Sequence, residues 1–470
     1  MRSHFAKPLS VLSLLLLASL RVQAQKNSGA LPNAPQEAKP SFAAFAQQLE
    51  SSTPQSPQLP NGPSALTRQL AEKIALANNP HIRISQLVAK VQHQAVRERR
   101  ADELPNLNGN ATVVEANDGS RLSSGSLTAS RLLNHSGLGV SLSQLVTDFG
   151  HTTNLVASAK LLEKARLADA EASREDIVLA TDQVFFQVVE AQETLKVAAQ
   201  TVAARQNVAD QVSALTTSKL RSDLDLSFAQ VNLSQAKLLQ LNVQNTLDAA
   251  KAALSAVLGY EKEMQFTVVD DPDTLPALPP DANSLVAQAI QNRPDLQSLR
   301  FSEQAAQKFS KAQHEQLLPT ISALGLVGST PTGSSQYFIS NWYGAVGANV
   351  SIPIFNGFRL TAQASEASLQ AQAASEQTRA LRDQVVRDVR TAWLAANTAL
   401  QTVTVADELL KQANTALDLA KTRYDLGLSS IVELSQAELQ QTQAAIGNAN
   451  ARSQYNLAIA AINFQIGVQP

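Results

Sequence analysis

From Arg359 to Ile466 the chain keeps one hydrophobic rhythm. Apolar side chains recur at steps of four and three through Val385, Val389, Ala392, Ala396, Ala399, Val403, Ala406, Leu410, Ala413, Leu417, Ala420 and Tyr424. That is a heptad pattern sustained for almost six repeats. The stretch holds no proline, and its glycines are Gly427, Gly447 and the closing Gly467. Ala, Gln, Leu, Asn, Ser and Thr dominate, so the pattern predicts helix. An alanine-rich seam lets two helices approach closely. The rhythm breaks at Leu426 to Ser430, where Gly427 suits a left-handed stop and Ser429 or Ser430 suits the next N-cap. A long antiparallel helical hairpin with a sharp tip is expected. Its first arm, Arg359 to Asp425, has 67 residues. At about 1.5 Å per residue that is roughly 100 Å, far longer than a globular domain is wide.

The first half of the chain foreshadows the second. Asn79, Pro80, His81 and Ile82 answer Arg293, Pro294, Asp295 and Leu296, and Leu104 to Leu107 answer Leu318 to Ile321, both at an offset of 214. Ser143 answers Ser351, Ala229 answers Ala437, and Leu258-Gly259 answers Ile466-Gly467, at an offset of 208. The heptad seam recurs at that second offset as Ile177, Thr181, Val184, Val188, Ala191, Leu195, Ala198 and Val202. The series marks an internal duplication. Each copy reads as a first helix (about Ala65 to Glu103, and Ala282 to Leu318) ended by proline. Two short strands, a long helix of about 67 residues, a tip and a return helix of roughly 37 follow. Two shorter helices laid end to end match one long helix.

The strands alternate apolar with small or polar residues: Asn106–Glu115 with Gly137–Thr147, and Thr320–Ser329 with Trp342–Ile354. Each is about the ten residues that a tilted strand needs to cross a bilayer, and alternation suits a strand between lipid and a watery lumen. Tyr337, Phe338, Trp342 and Tyr343 could supply an interfacial girdle. Four strands cannot close a membrane barrel, and open edges in lipid are prohibitive. If the strands span a membrane, several chains must share one barrel; spacing alone does not choose between two chains and three.

Composition agrees with a narrow-seamed architecture. The 470 residues carry a net charge of −2, no cysteine and 4 % aromatics, and much of the 44 % hydrophobic content is alanine. Near-neutral charge gives no support for a nucleic-acid partner. Residues 1–24 read as a signal peptide, with Arg2 and Lys7 before an apolar run from Leu9 to Leu20 and Val22-Gln23-Ala24 as the cleavage site. The absence of cysteine excludes a lipoprotein anchor and a disulfide framework. Residues 25–64, rich in proline, read as a disordered leader with a short helix near Phe42–Glu50. The expected organisation is then repeat one at 65–264, a proline-rich linker at 265–281 and repeat two at 282–470. No histidines pair at metal-ligand spacing, and neither a nucleophile motif nor a phosphate-binding loop is present, so no enzyme, cofactor or metal is expected. A structural or adhesive surface coiled coil is the competing function. It explains the heptads and leaves two proline-bounded β-hairpins at one end of each copy without a use.

These features resemble the TolC-like outer membrane efflux proteins from about Ala65 to Gly467. The matching residues are the proline-ended first helices, the strand ends Val146 to Gly150 and Ile354 to Phe358, the tip Tyr424 to Glu433 and the final Ile466-Gly467. The resemblance implies a mainly α fold with a small β part: duplicated long helical hairpins forming a periplasmic α-barrel, plus β-hairpins forming a shared transmembrane β-barrel in a homotrimer. It implies an outer membrane channel, exported by its signal peptide, for efflux or type I secretion, with a periplasmic adaptor and an inner-membrane pump as partners. Adaptor contact falls on the tips near 219 and 427, at Leu426, Gly427, Leu428 and Ser429, and at Ser218, Lys219, Leu220 and Arg221. Lysine replaces the tip glycine in copy one, which puts that turn's geometry in question. The family's acidic pore ring falls on Glu433, expected about one and a half turns into the return helix, and on Gln436, a departure implying a less charged constriction.

Overall fold

The computed structural model describes residues 65–114, 135–260, 266–269, 275–329 and 342–468, all within one compact unit. The signal peptide and leader, 1–64, and Tyr337 and Phe338 of the expected girdle lie outside the described residues. Copy one comprises β1 (Ala65–Leu66), α1 (Arg68–Asn78), α2 (Pro80–Ala101), β2 (Asn106–Val114), β3 (His135–Thr147), α3 (His151–Thr217) and α4 (Asp223–Val257). After β4 (Thr267–Val268), copy two comprises α5 (Ala282–Asn292), α6 (Pro294–Glu315), β5 (Thr320–Ser329), β6 (Tyr343–Ser351), α7 (Arg359–Asp425) and α8 (Ile431–Ile466).

The expected single first helix of each copy is two helices, broken at Asn79-Pro80 and Arg293-Pro294. A proline disfavours helical ψ at the residue before it, and Asn79 and Arg293 accordingly sit at ψ 124° and 122°. Each proline opens the next helix at N1, where its missing N–H costs nothing. The break lets two helix ends meet. Asn79 Nδ2 donates to Val257 O at 3.1 Å, joining the start of α2 to the end of α4. Arg293 bonds Gln465 and Asp295, joining the start of α6 to the end of α8. At that second joint Gly467 has φ +67°, and a Cβ there would lie 3.1 Å from Arg293 backbone atoms. Only glycine fits both conditions.

α2 and α4 thus run end to end along α3, and α6 with α8 fill the space between α3 and α7. Toward the strands the layer reads α2–α3–α6–α7; toward the tips it reads α4–α3–α8–α7. The read seam of α7 is the packed one: Val385, Val389, Ala396 and Val403 are buried against Tyr455, Ile459 and Ile462 of α8. In α3 the seam is only part of the core. Phe185 and Phe186 are also buried, because α1 and the β1–β4 pair cover a further side of that helix. The expected linker is likewise packed. Its β4 pairs parallel to β1, and the Trp393 Nε1–H and Tyr455 hydroxyl donate to Pro279 O at 2.8 Å and Pro276 O at 2.5 Å.

Strand-to-helix turns are built from short polar caps. Asp148 accepts from Thr152 N at 2.7 Å and Gly150 N at 3.2 Å, and Asn356 Oδ1 accepts from Leu360 N at 3.2 Å. β2, β3, β5 and β6 form one antiparallel sheet in the order β2-β3-β5-β6.

Candidate functional site

Register assigns every strand residue to one of two faces of the sheet. Leu107, Leu142, Gly325 and Val346 stand in one row, and Gly109, Val140, Val327 and Gly344 in the next. Ala111, Val113, Leu138, Ile321, Ala323, Ala348 and Val350 extend this apolar face, with Gln144 and Ser329 among its polar members. The opposite face is mostly polar, with Asn106, Asn108, Asn110, Thr112, Ser141, Ser143, Ser322, Asn349 and Ser351, and also carries Val114, Leu145, Leu324, Leu326 and Tyr343. The sheet is therefore amphipathic, and among the described residues the outer edges of β2 and β6 have no partner strand. Among the described residues no helix is long and apolar enough to cross a membrane.

The helical ends away from the sheet carry the two tips. In copy two α7 closes with Gly427 at φ 73°, Gly427 N donating to Tyr424 O at 2.9 Å and Leu428 N to Arg423 O at 2.8 Å. Copy one has the same turn despite its lysine. Lys219 adopts φ 58°, its N donates to Thr216 O at 2.9 Å, and Leu220 N donates to Leu215 O at 2.9 Å. The turn geometry questioned on sequence grounds is kept, at the strain of a left-handed non-glycine residue. Ser430 and Ser222 cap the return helices, the latter in a reciprocal box with Asp225. Leu426, Leu428 and Leu220 are exposed. Ser429 carries a buried hydroxyl without a partner, and Arg221 stacks 4.7 Å from the Tyr424 ring.

Glu433 requires a correction. It is the third residue of α8, inside the first turn, because Ser430 caps the helix and receives the Glu433 N–H at 3.3 Å. Its carboxylate pairs with Arg423 of α7 at 3.2 Å. Glu433 and Gln436 share an exposed face of α8.

The charge pair that the sequence reading missed lies just above. Arg205 of α3 meets Glu438 of α8 at 3.0 Å with both side chains nearly closed to solvent. Burial pulls the Arg205 pKa down and pushes the Glu438 pKa up; each partner opposes the shift in the other. Asn232 Nδ2 of α4 donates to Ser435 Oγ at 2.8 Å nearby. No short motif marks this pair. Its signal would have been a charged residue at a position where the heptad predicts burial. Among the described residues no group of three or more His, Cys, Asp or Glu could hold a metal ion.

Comparison with known proteins adds the following. The family model described as outer membrane efflux protein matches residues 73–260 and 285–468. The chain is 24 % identical over 407 residues to outer membrane protein TolC of Salmonella enteritidis, covering 84 % of this chain and 80 % of that one. It is similar to the crystal structure of a membrane protein from Pseudomonas aeruginosa, with TM-score 0.76, 23 % identity and coverage of 85 % and 90 %. It is also similar to the outer membrane protein VceC of Vibrio cholerae, with TM-score 0.72, 19 % identity and coverage of 85 % and 96 %.

Proposed function

This chain belongs to the outer membrane efflux protein family, and from that premise we propose that it is the outer membrane channel of a tripartite efflux or type I secretion system, working as a homotrimer with a periplasmic adaptor and an inner-membrane pump. The observation that carries the trimer is a second, unpaired seam on both flanks of the helical layer. On α7, Leu394, Val405 and Leu419 each lie two residues past a position of the first seam and are exposed. On α4, Val231 and Leu238 stand two past the buried Ala229 and Ala236, and on α2, Ile84 and Val91 stand two past Ile82 and Ala89. Two residues at about 100° each put the seams about 160° apart, close to the roughly 150° between neighbours in a closed ring of twelve. Since α2 and α4 run toward the sheet and α7 away from it, both offsets turn the layer to the same side. Three chains supply four helices each at every level.

The sheet asks for the same closure. Its unpaired β2 and β6 edges are prohibitive in lipid, and three chains pairing edge to edge give twelve strands with the apolar face outward. A surface adhesin would have no use for this two-faced, open-edged sheet. The tips, Leu426 to Ser429 and Ser218 to Arg221, present exposed leucines with no packing role in the chain, as an adaptor-docking surface would. Glu433 and Gln436 are assigned to the axis of the trimer, where three carboxylates partly balanced by Arg423 form a weakly acidic constriction. Molecules pass from the adaptor and pump through this tunnel to the outside. Sedimentation of the detergent-extracted protein tests the reading: a protein mass of three chains is expected, and a stable folded monomer overturns it.

A further inference from the structure

The polar face carries Val114, Leu145 and Tyr343 toward the ends of β2, β3 and β6, and β5 breaks the alternation in mid-strand. On β5 the apolar face receives Ile321, Ala323, Gly325 and Val327, yet the polar face receives Leu324 and Leu326. Both leucines are exposed, at 46 % and 41 %. Their cross-strand neighbours are Ser143 and Gly347 for Leu324, and Ser141 and Ala345 for Leu326. None of these is large enough to cover a leucine, so the pair stands above a floor of small residues with Asn106 and Asn108 beyond it. Among the described residues of this face none is Asp, Glu, Lys or Arg. Packing within the chain does not account for two exposed leucines in the middle of this face, whose other apolar side chains of size, Val114, Leu145 and Tyr343, stand toward the strand ends.

We propose that Leu324 and Leu326 form an apolar track along an uncharged pore wall, and that the track serves amphiphilic organic solutes, molecules with an apolar body and a polar or charged head. This rests on the barrel reading above, which turns the polar face toward the lumen. A neutral wall neither attracts nor repels the head by Coulomb forces, so the wall's preference is set by apolar contact. Threefold repetition places three such tracks around the exit. A strongly hydrated inorganic ion gains nothing from them; an aromatic or alkyl body gains transient contact area at each pass. The chemistry limits the class to solutes small enough to travel dissolved and apolar enough to touch leucine.

The chain has no cysteine, so single cysteines report the faces directly. In trimers reconstituted into liposomes, Leu324→Cys should react with a membrane-impermeant maleimide and Val346→Cys, on the apolar face, should not. The reverse pattern would overturn the barrel reading and the track with it. Single-channel recordings then test the track itself, using tetraphenylphosphonium and tetramethylammonium as probes of equal charge. In the Leu324→Asn/Leu326→Asn double variant, tetraphenylphosphonium blockades should shorten by about tenfold, with tetramethylammonium events unchanged. The milder Leu324→Ala/Leu326→Ala pair should shift in the same direction and guards against misfolding of the asparagine variant. Unchanged tetraphenylphosphonium blockades, or equal shifts for both probes, would overturn the proposal.

Discussion

Glu438→Ala removes one half of the ion pair that ties α8 to α3 near the tips. Arg205 and Glu438 keep only 8 % and 10 % of their side-chain surface in contact with water, and Arg205 has one further bond, Nη2 to Ser435 O at 3.4 Å. Stranding the guanidinium there should cost about 3 kcal/mol, roughly a hundredfold in the local opening equilibrium. The penalty is mostly an uncompensated buried charge, so removing both charges should relieve it. Arg205→Met/Glu438→Leu fills the same space with apolar atoms and should return protection to within about 1 kcal/mol of the parent. Amide hydrogen exchange over Ala204–Val212 and Leu434–Thr442 reads this local stability without unfolding the whole assembly. The pH dependence has a definite sign. Burial raises the Glu438 pKa, opposed by Arg205 and Lys421, so the native state binds this proton more tightly than the unfolded chain. Its contribution is fully present below the ordinary glutamate range and falls as pH rises through the raised native value. Glu438→Gln should flatten that dependence. Equal loss of protection in the single and double variants, or no loss in the single, would refute this account of the pair.

Three further outcomes follow from the tips. Lys219→Gly relieves a left-handed lysine and should stabilise the first tip by about 0.5 kcal/mol net of the added chain entropy; lower exchange protection at Leu220 and Arg221 would mean the lysine side chain holds the turn. Glu433→Gln should weaken cation preference in reversal-potential measurements and Arg423→Gln should strengthen it, because the two charges offset one another; wild-type selectivity in both would place Glu433 off the pore axis. Leu428→Asp should abolish capture of the adaptor while leaving trimer yield unchanged, and undiminished capture would remove this tip from the docking surface.

The long helices were legible because packing against one antiparallel neighbour imposes a heptad, and the Val385 to Tyr424 stripe reports that contact directly. The amphipathic sheet was legible for a similar reason, since a strand with two environments alternates. What escaped was whatever depended on a second neighbour. Phe185 and Phe186 fall off the α3 seam because α1 buries a further side of that helix, and a single-period reading assigns such residues to solvent. The same blindness hid the flank seam of Leu394, Val405 and Leu419, which becomes visible only when the first seam's partner is known. The helix breaks at Asn79 and Arg293 were in plain view as residues before proline, but the apolar pattern continues across them and masks the stop. Arg205–Glu438 is a contact between residues 233 apart, and no local pattern pairs them. Glu433 is nearer the helix start than expected because the return helix, expected to begin just past Gly427, begins only at Ile431 behind the Ser430 cap.

Disulfide trapping across the flank seams tests closure of the ring most directly, in a chain whose natural sequence offers no competing thiol. Leu238 on α4 and Gln412 on α7 each stand two residues past a first-seam position, are exposed and lie about four turns from their tips. With cysteine at both positions, oxidation in the native membrane should give species of one, two and three chains and nothing larger, the three-chain band growing to dominance. A ladder extending beyond three chains, or monomer alone under oxidising conditions, would contradict the closed trimer.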